Sequence, residues 1–252
     1  MSVDVLLDRI TVRDETGRAV LDGVNISVLR GEALALVGHN GGGKSTVLRL
    51  MAGMMRPTAG RVKVAGKDLS KLDYDSLREH RTRVGFVFEG GGLWANRTVR
   101  ENVSLPLHYH AGRITDLEAR VATLAEELDI VDELDRPSHR VNASVRKRAL
   151  VARALVLDPL LLLCDEPQLG LVYAEARRVA KAIERRRSER GMTVVYADHD
   201  GTLDPYVATR MVYFEEGHVF DRPSAIPPPD RPSFVGVLPQ ALGGAHVLGG
   251  GA

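Results

Sequence analysis

A short apolar run, residues 33–37, leads straight into Gly38-His39-Asn40-Gly41-Gly42-Gly43-Lys44-Ser45, after which Leu48, Met51 and Ala52 fall on one helical face beginning near Thr46. Strand, glycine-rich loop and helix, with two glycines, a lysine and a hydroxyl at fixed spacing, make the phosphate-loop pattern. Glycines let the backbone turn tightly, so that successive N–H groups point at anionic oxygens, and the helix N-terminus adds its positive dipole end. Lys44 is placed to neutralise terminal phosphates. Ser45 is placed to offer its hydroxyl to Mg²⁺, a hard cation that prefers oxygen ligands and keeps several waters. The candidate cradle is therefore Gly38, His39, Asn40, Gly41, Gly42, Gly43, Lys44, Ser45 and Thr46.

A second segment, Leu160-Leu161-Leu162-Leu163-Cys164-Asp165-Glu166-Pro167, reads as a buried strand ending in two carboxylates. At its end Asp165 reaches toward the metal's shell, while Glu166, expected on the other side of the pleat, is placed to polarise water for attack on a terminal phosphate. Alone, such a pair is most often solvated surface. Downstream of a phosphate loop, the chemical reading takes over.

Around these motifs the pattern is α/β. Val3, Val5, Leu7, Ile10 and Val12, a turn at Gly17, then Val20, Val24, Ile26 and Val28 read as antiparallel strands. A turn at 57–60 precedes Val62 and Val64; a strand is expected over 84–88 and helices over 115–134 and 144–157, making 90–157 a mainly helical insert. A parallel strand (160–164), a crossover helix (174–189) and another strand (193–197) complete the core. Residues 223–252 are rich in proline and glycine; they read as a flexible end, or as an arm that docks through Phe234, Val235, Val237 and Leu238.

Composition excludes some classes. Lys plus Arg number 34 against 33 Asp plus Glu, so a net charge of +1 leaves no footprint for nucleic acid. The single cysteine, Cys164, sits in an apolar run and reads as a buried thiol in a reducing cytosol. Residues 1–13 carry Asp4, Asp8 and Arg9 and show no secretory pattern. The apolar run from Leu155 is broken by Asp158 and Pro159, short of the roughly 20 residues that span a bilayer. Any membrane span is expected from another chain.

The two motifs and their spacing resemble the ATP-binding cassette (ABC) family over residues 3–225. Val84-Gly85-Phe86-Val87-Phe88-Glu89 resembles its Q-loop strand, Arg146-Lys147-Arg148 with Ala152-Arg153-Ala154-Leu155 the helix after its signature, and Ala197-Asp198-His199-Asp200 its switch-histidine loop. The resemblance implies a P-loop NTPase core (1–89 and 158–222) with an N-terminal antiparallel β subdomain and a helical subdomain (90–157). It implies ATP and Mg²⁺ as cofactors, Glu166 and His199 as catalytic residues, and Ser45, Asp165 and Glu89 as metal ligands; His199 in isolation would read as surface. It further implies a transmembrane permease and a second ABC ATPase as partners, at the cytoplasmic face of the inner or plasma membrane. Gly90-Gly91-Gly92-Leu93-Trp94 and Thr98 to Leu107 are similar to ATPases of Mla- and Mce-type lipid transporters, which implies a lipid cargo. Trp94 then reads as a docking residue or as a core aromatic of the helical arm.

The sequence departs from the family at several points. Val141-Asn142-Ala143-Ser144-Val145 replaces a Leu-Ser-Gly-Gly-Gln signature, Val172 stands where a D-loop aspartate is expected, Glu89 replaces the Q-loop glutamine, and no aromatic lies near Glu15 to stack on adenine. Lys44, Ser45, Asp165, Glu166 and His199, which act within the chain, are kept, whereas Asn142 to Val145 and Val172, which act across a dimer, are altered. An asymmetric heterodimer is favoured over a homodimer, which would place the altered signature over both sites; the alternative function is a nucleotide-binding regulatory or structural subunit with little hydrolysis. Soluble ABC proteins of translation or DNA repair are disfavoured, for want of a second cassette, a long coiled coil or a zinc-type cysteine cluster.

Overall fold

A computed structural model of the chain describes residues 3–109, 116–198, 207–215 and 217–222. His199 and the proline-rich segment 223–252 lie outside them.

The N-terminal hairpin pairs β1 (Val3–Arg13) with β2 (Ala19–Leu29), and β4 (Ala59–Val64) and β5 (Lys67–Asp68) extend it into an antiparallel sheet of order β2-β1-β4-β5. The apolar positions of β1 change parity, from Val5 and Leu7 to Ile10 and Val12, yet all four are buried. A register shift between Leu7 and Ile10 resolves this: Arg9 adopts φ +50° there, and one extra residue re-aims the following side chains. Opposite the bulge, a Cβ on Gly60 would lie 2.3 Å from the Arg9 carbonyl oxygen, so only glycine fits.

The second sheet has the order β10-β9-β3-β8-β7-β6, comprising β3 (Ala33–Gly38), β6 (Val84–Val87), β7 (Leu161–Asp165), β8 (Thr193–Asp198), β9 (Arg210–Glu215) and β10 (His218–Arg222). All its pairs are parallel except β9 with β10. Leu34, Leu36, Leu161 and Leu163 pack on α1 (Lys44–Met51) and the N-terminal sheet; Ala33, Ala35, Leu162 and Cys164 face a helical layer. Both faces are thus covered, as a parallel sheet requires. Cys164 is fully buried, and burial pushes its thiol pKa up.

The helices are α2 (Tyr74–Thr82), α3 (Val99–Tyr109), α4 (Leu117–Leu128), α5 (Ala143–Leu155) and α6 (Tyr173–Arg190). The helix expected over 115–134 ends at Leu128, because Asp129 takes a left-handed cap at φ +57°, and a 3₁₀ turn over 131–133 follows. The strand expected over 84–88 ends at Val87. Among the described residues, no helix is long and apolar enough to cross a membrane.

The helical layer closes on β6 at Gly85, where a Cβ would lie 2.4 Å from the Ala154 carbonyl oxygen and 3.0 Å from Leu162 Cδ1. Overpacking against backbone costs about 1–3 kcal/mol. Gly85→Ala should lower the unfolding free energy by about that amount in urea titration; an unchanged midpoint would show that α5 does not press on β6.

Candidate functional site

The carboxyl ends of the parallel strands meet at one edge of the sheet, where α/β proteins hold their ligands. There β3 passes into the loop through Gly38, at φ +148°, followed by Gly41 at +80° and Gly43 at +96°. A Cβ on Gly38 would meet the Phe214 carbonyl oxygen at 2.3 Å, and one on Gly43 would meet Leu21 Cδ2 at 2.4 Å. Gly38 is thus required by conformation and by backbone crowding, and Gly43 by its left-handed conformation. His39, Asn40 and Gly41 are exposed, Gly42, Gly43 and Lys44 are buried, and Ser45 and Thr46 are half-buried. Gly43 caps α1 without a side chain, which leaves that helix N-terminus with no side-chain oxygen on its first N–H groups.

Lys44 Nζ donates to the carbonyl oxygens of Gly38 at 2.6 Å and His39 at 2.9 Å. Burial pushes its pKa down, and the charges of Glu166, Asp165, Asp198 and Glu89 oppose that shift. Four carboxylates therefore act electrostatically on one buried ammonium. Ser45 Oγ donates to Asp165 Oδ1 at 3.1 Å, bringing together residues 120 positions apart. Burial raises the Asp165 pKa and Glu89 adds to the rise, while the Ser45 hydrogen bond, Arg49 and Lys44 offset part of it. Two hard oxygens in a field of excess negative charge fit a small cation such as Mg²⁺, whose remaining ligands come from water and phosphate.

Glu166 departs from the expected pleat alternation. It lies past the end of β7 at φ +49°, a left-handed conformation that costs a non-glycine residue of order 1–3 kcal/mol. Its N–H donates to the Ala197 carbonyl at 3.1 Å, and its carbonyl accepts from Leu169 N at 3.2 Å and Lys147 Nζ at 3.1 Å. Glu89 lies exposed beyond β6; the structure brings it within electrostatic reach of Asp165, and its carbonyl also accepts from Lys147 Nζ, at 3.0 Å. Lys147 and Asp198 are the site residues that sequence reasoning passed over, although both stand in the stretches that resemble the family.

Of the altered segments, Asn142 caps α5, its Oδ1 accepting from Val145 N at 2.8 Å. Asn142 and Ala143 are exposed, as are Leu169, Val172 and Tyr173 at the start of α6. The turn at Asp14 to Arg18, closed by Asp14 Oδ1 accepting from Thr16 N and Arg18 N, is exposed and carries no aromatic ring. The Trp94 side chain is 47% exposed, so it is not a core aromatic. Its backbone is held by buried side chains: Trp94 N donates to Asn102 Oδ1 at 2.7 Å, and its carbonyl accepts from Ser138 Oγ at 2.8 Å.

A phosphate loop at this edge, an Asp-Glu pair two parallel strands over and an antiparallel sheet over α1 define an ATP-binding cassette. The chain belongs to the ABC transporter family, whose sequence profile matches residues 21–169. It is 36% identical over 206 residues to the lipoprotein-releasing system ATP-binding protein LolD of Geobacter metallireducens, covering 81% of this chain and 91% of that one. It is 33% identical over 201 residues to the methionine import ATP-binding protein MetN 1 of Burkholderia orbicola, covering 80% of this chain and 58% of that one. The chain thus spans little more than half the length of its methionine-import relatives. Among solved structures, the dimeric bacterial ABC transporter cassette MJ0796 superposes with a TM-score of 0.81 at 26% identity, covering 85% of this chain and 96% of that one. The cbiO1 protein of Clostridium perfringens, part of the ABC transporter complex cbiONQ, gives 0.74 at 26% identity, covering 87% and 88%.

Asp165 generates a stability prediction. Its folded pKa lies above the unfolded value of 3.8, so the folded state binds more protons and stability falls as pH rises from that value through the folded one. Asp165→Asn should therefore raise the thermal midpoint of the nucleotide-free protein at neutral pH, with the gain disappearing below about pH 4, where the carboxyl is protonated in both states. A neutral-pH midpoint at or below wild type would show that the charge is not buried at a cost.

Proposed function

We propose that this chain binds ATP with Mg²⁺ and hydrolyses it as the nucleotide-binding subunit of an ABC transporter. The observation that carries this reading is the Ser45–Asp165 contact beside a buried Lys44 resting on loop carbonyls. In this reading, main-chain N–H groups from Gly38 to Thr46 receive the β- and γ-phosphates, and the Lys44 ammonium exchanges its loop carbonyls for phosphate oxygen. Ser45 and Asp165 hold Mg²⁺, with Glu89 supplying a further oxygen. The ion's chemistry is to neutralise charge that develops on the phosphate oxygens. Glu166 accepts the proton of the water whose oxygen attacks the γ-phosphorus as the bond to the β–γ bridging oxygen breaks. His199, directly after β8, senses the γ-phosphate.

The division is a core of 1–89 and 158–222, a helical subdomain of 90–157, and a tail of 223–252. A transmembrane permease supplies the membrane span, with this chain peripheral at the cytoplasmic face. The permease docks at a groove of about 390 Å³ lined by Phe86, Phe88, Leu105, Pro106 and Arg153, with the exposed Trp94 as a further docking residue. A lipidic cargo is supported by the likeness of residues 90–107 to Mla- and Mce-type ATPases and by the relative named for lipoprotein release. The relative named for methionine import makes an amino acid the competing cargo. A second ATPase subunit with a standard signature completes the site over this chain's loop. Asn142, Ala143, Ser144 and Val172 favour, as a second reading, a subunit that binds nucleotide and turns over little.

Lys44→Ala should abolish ATP binding in equilibrium dialysis while leaving the unfolding transition cooperative; undiminished binding would refute the loop's role. Glu166→Gln should bind ATP normally but slow single-turnover hydrolysis by at least about 10²-fold, within the usual range for losing a general base.

Asymmetry makes a separate claim. Losing one donor to developing charge costs about 10²–10³ in rate, so the chain alone should turn over slowly. Replacing Asn142 with Ser, and Ala143 and Ser144 with Gly, should accelerate the isolated chain. The heterodimer fails if the unmodified chain alone matches its assembled complex and the triple variant changes nothing.

A further inference from the structure

Lys147 lies on α5 with 6% of its surface exposed. A buried lysine is rare unless paired, and here the hydrogen-bond partners are main-chain carbonyls: Nζ donates to Glu89 at 3.0 Å and to Glu166 at 3.1 Å. One ammonium therefore joins three segments: the chain beyond β6, helix α5, and the chain beyond β7. An apolar side chain would fill the same volume without desolvating a charge, so packing alone does not account for an ammonium at this position.

The Glu166 end of this contact is unusual. The residue is held left-handed at φ +49°, where the direction of its side chain follows from how its two flanking peptides are fixed. The preceding peptide is fixed by Glu166 N donating to Ala197. The following one is fixed by its carbonyl, which accepts from Leu169 N within the same turn and from Lys147 on a different element. Lys147 is thus the link that ties this peptide to α5, and through the Glu89 carbonyl the same Nζ ties in the segment after β6.

We propose that Lys147 is a positioning residue for hydrolysis: by holding the Glu166 and Glu89 carbonyls together it aims the Glu166 carboxylate, and it carries displacement of α5 or of the Glu89 segment to that carboxylate. The inference rests on the reading of Glu166 as general base. It also gives the helical layer a direct mechanical connection to the proton acceptor, separate from the phosphate loop.

The test uses the full chain with Mg²⁺ and ATP, measuring nucleotide Kd and single-turnover rate separately. Lys147→Met keeps the shape and removes the donors; Lys147→Gln keeps donors and removes the charge. Displacement of a catalytic group by about 1 Å can cost 10²-fold, so Lys147→Met should slow hydrolysis about 10- to 100-fold with Kd changed less than about threefold, and Lys147→Gln should recover most of the rate. Because Lys147 acts through Glu166, Lys147→Met should slow the Glu166→Gln protein little further. Wild-type rate in Lys147→Met, parallel loss of binding and rate in both variants, or full additivity with Glu166→Gln overturns the proposal. If Glu166→Gln itself hydrolyses at the wild-type rate, the general-base reading falls and this inference with it. A slow Glu166→Gln beside a normal Lys147→Met removes this inference alone.

Discussion

The site depends on the register of one strand. β8 lies between β3 and β7, and its Ala197 is opposite Leu36 on one side and Asp165 on the other, with Asp198 opposite Val37. That alignment sets the mouth of the phosphate loop level with the acidic end of β7, so that Ser45 Oγ reaches Asp165 Oδ1. The Ala197 carbonyl then receives the Glu166 N–H. Hydrophobic burial holds the register, because Leu161 and Leu163 belong to the layer beneath α1 while Leu162 and Cys164 belong to the helical layer. A slip of one residue would exchange the two sets and carry Asp165 to the wrong face.

Given that register, the edge of the sheet concentrates unlike charge at a cost in stability. Lys44 is desolvated among four carboxylates, Asp165 is pushed toward its protonated form, and Glu166 sits in a conformation that non-glycine residues avoid. Both buried lysines satisfy their donors on carbonyls rather than carboxylates. The Ser45 hydroxyl and the Asp165 carboxylate, in contact at this edge, are hard oxygens of the kind that suit a divalent cation taken up together with polyphosphate. Local rules are broken where a ligand would compensate.

Legibility in the sequence followed how local each requirement is. The loop from Gly38 to Thr46 was readable because left-handed glycines and a lysine at fixed spacing leave few alternatives, and β7 because a five-residue buried strand is a continuous apolar run. The strands β9 and β10 were not anticipated. Helix α2 escaped notice because it buries no residue and so shows no apolar stripe, and α3 because it contains Pro106 and buries Asn102 and Ser104. The left-handed backbone of Glu166 was not legible, because pleat alternation stops applying where the strand ends. Lys147 was quoted only as part of a motif: a charged residue in a helix reads as solvent-facing until folding brings two carbonyls to it. Trp94, with its backbone pinned and its ring outside, could be settled only by tertiary contacts.

The altered signature changes approach more than charge. Asn142 is a good N-cap, as serine is, and its Oδ1 holds Val145 N at the start of α5. The helix dipole and the first N–H groups are kept. Ala143 carries a Cβ at the exposed helix start, whereas Ser144 is half-buried with its Oγ shielded from solvent, so Ala143 is the side chain that an approaching phosphate would meet in the proposed dimer. An obstruction of this kind lengthens contacts without removing the donors, so it weakens charge stabilisation in the transition state more than it weakens encounter. The proposed pairing with an unlike subunit rests on this difference: in that arrangement a chain with an intact loop and such a helix start would receive a partner's signature better than it would donate its own.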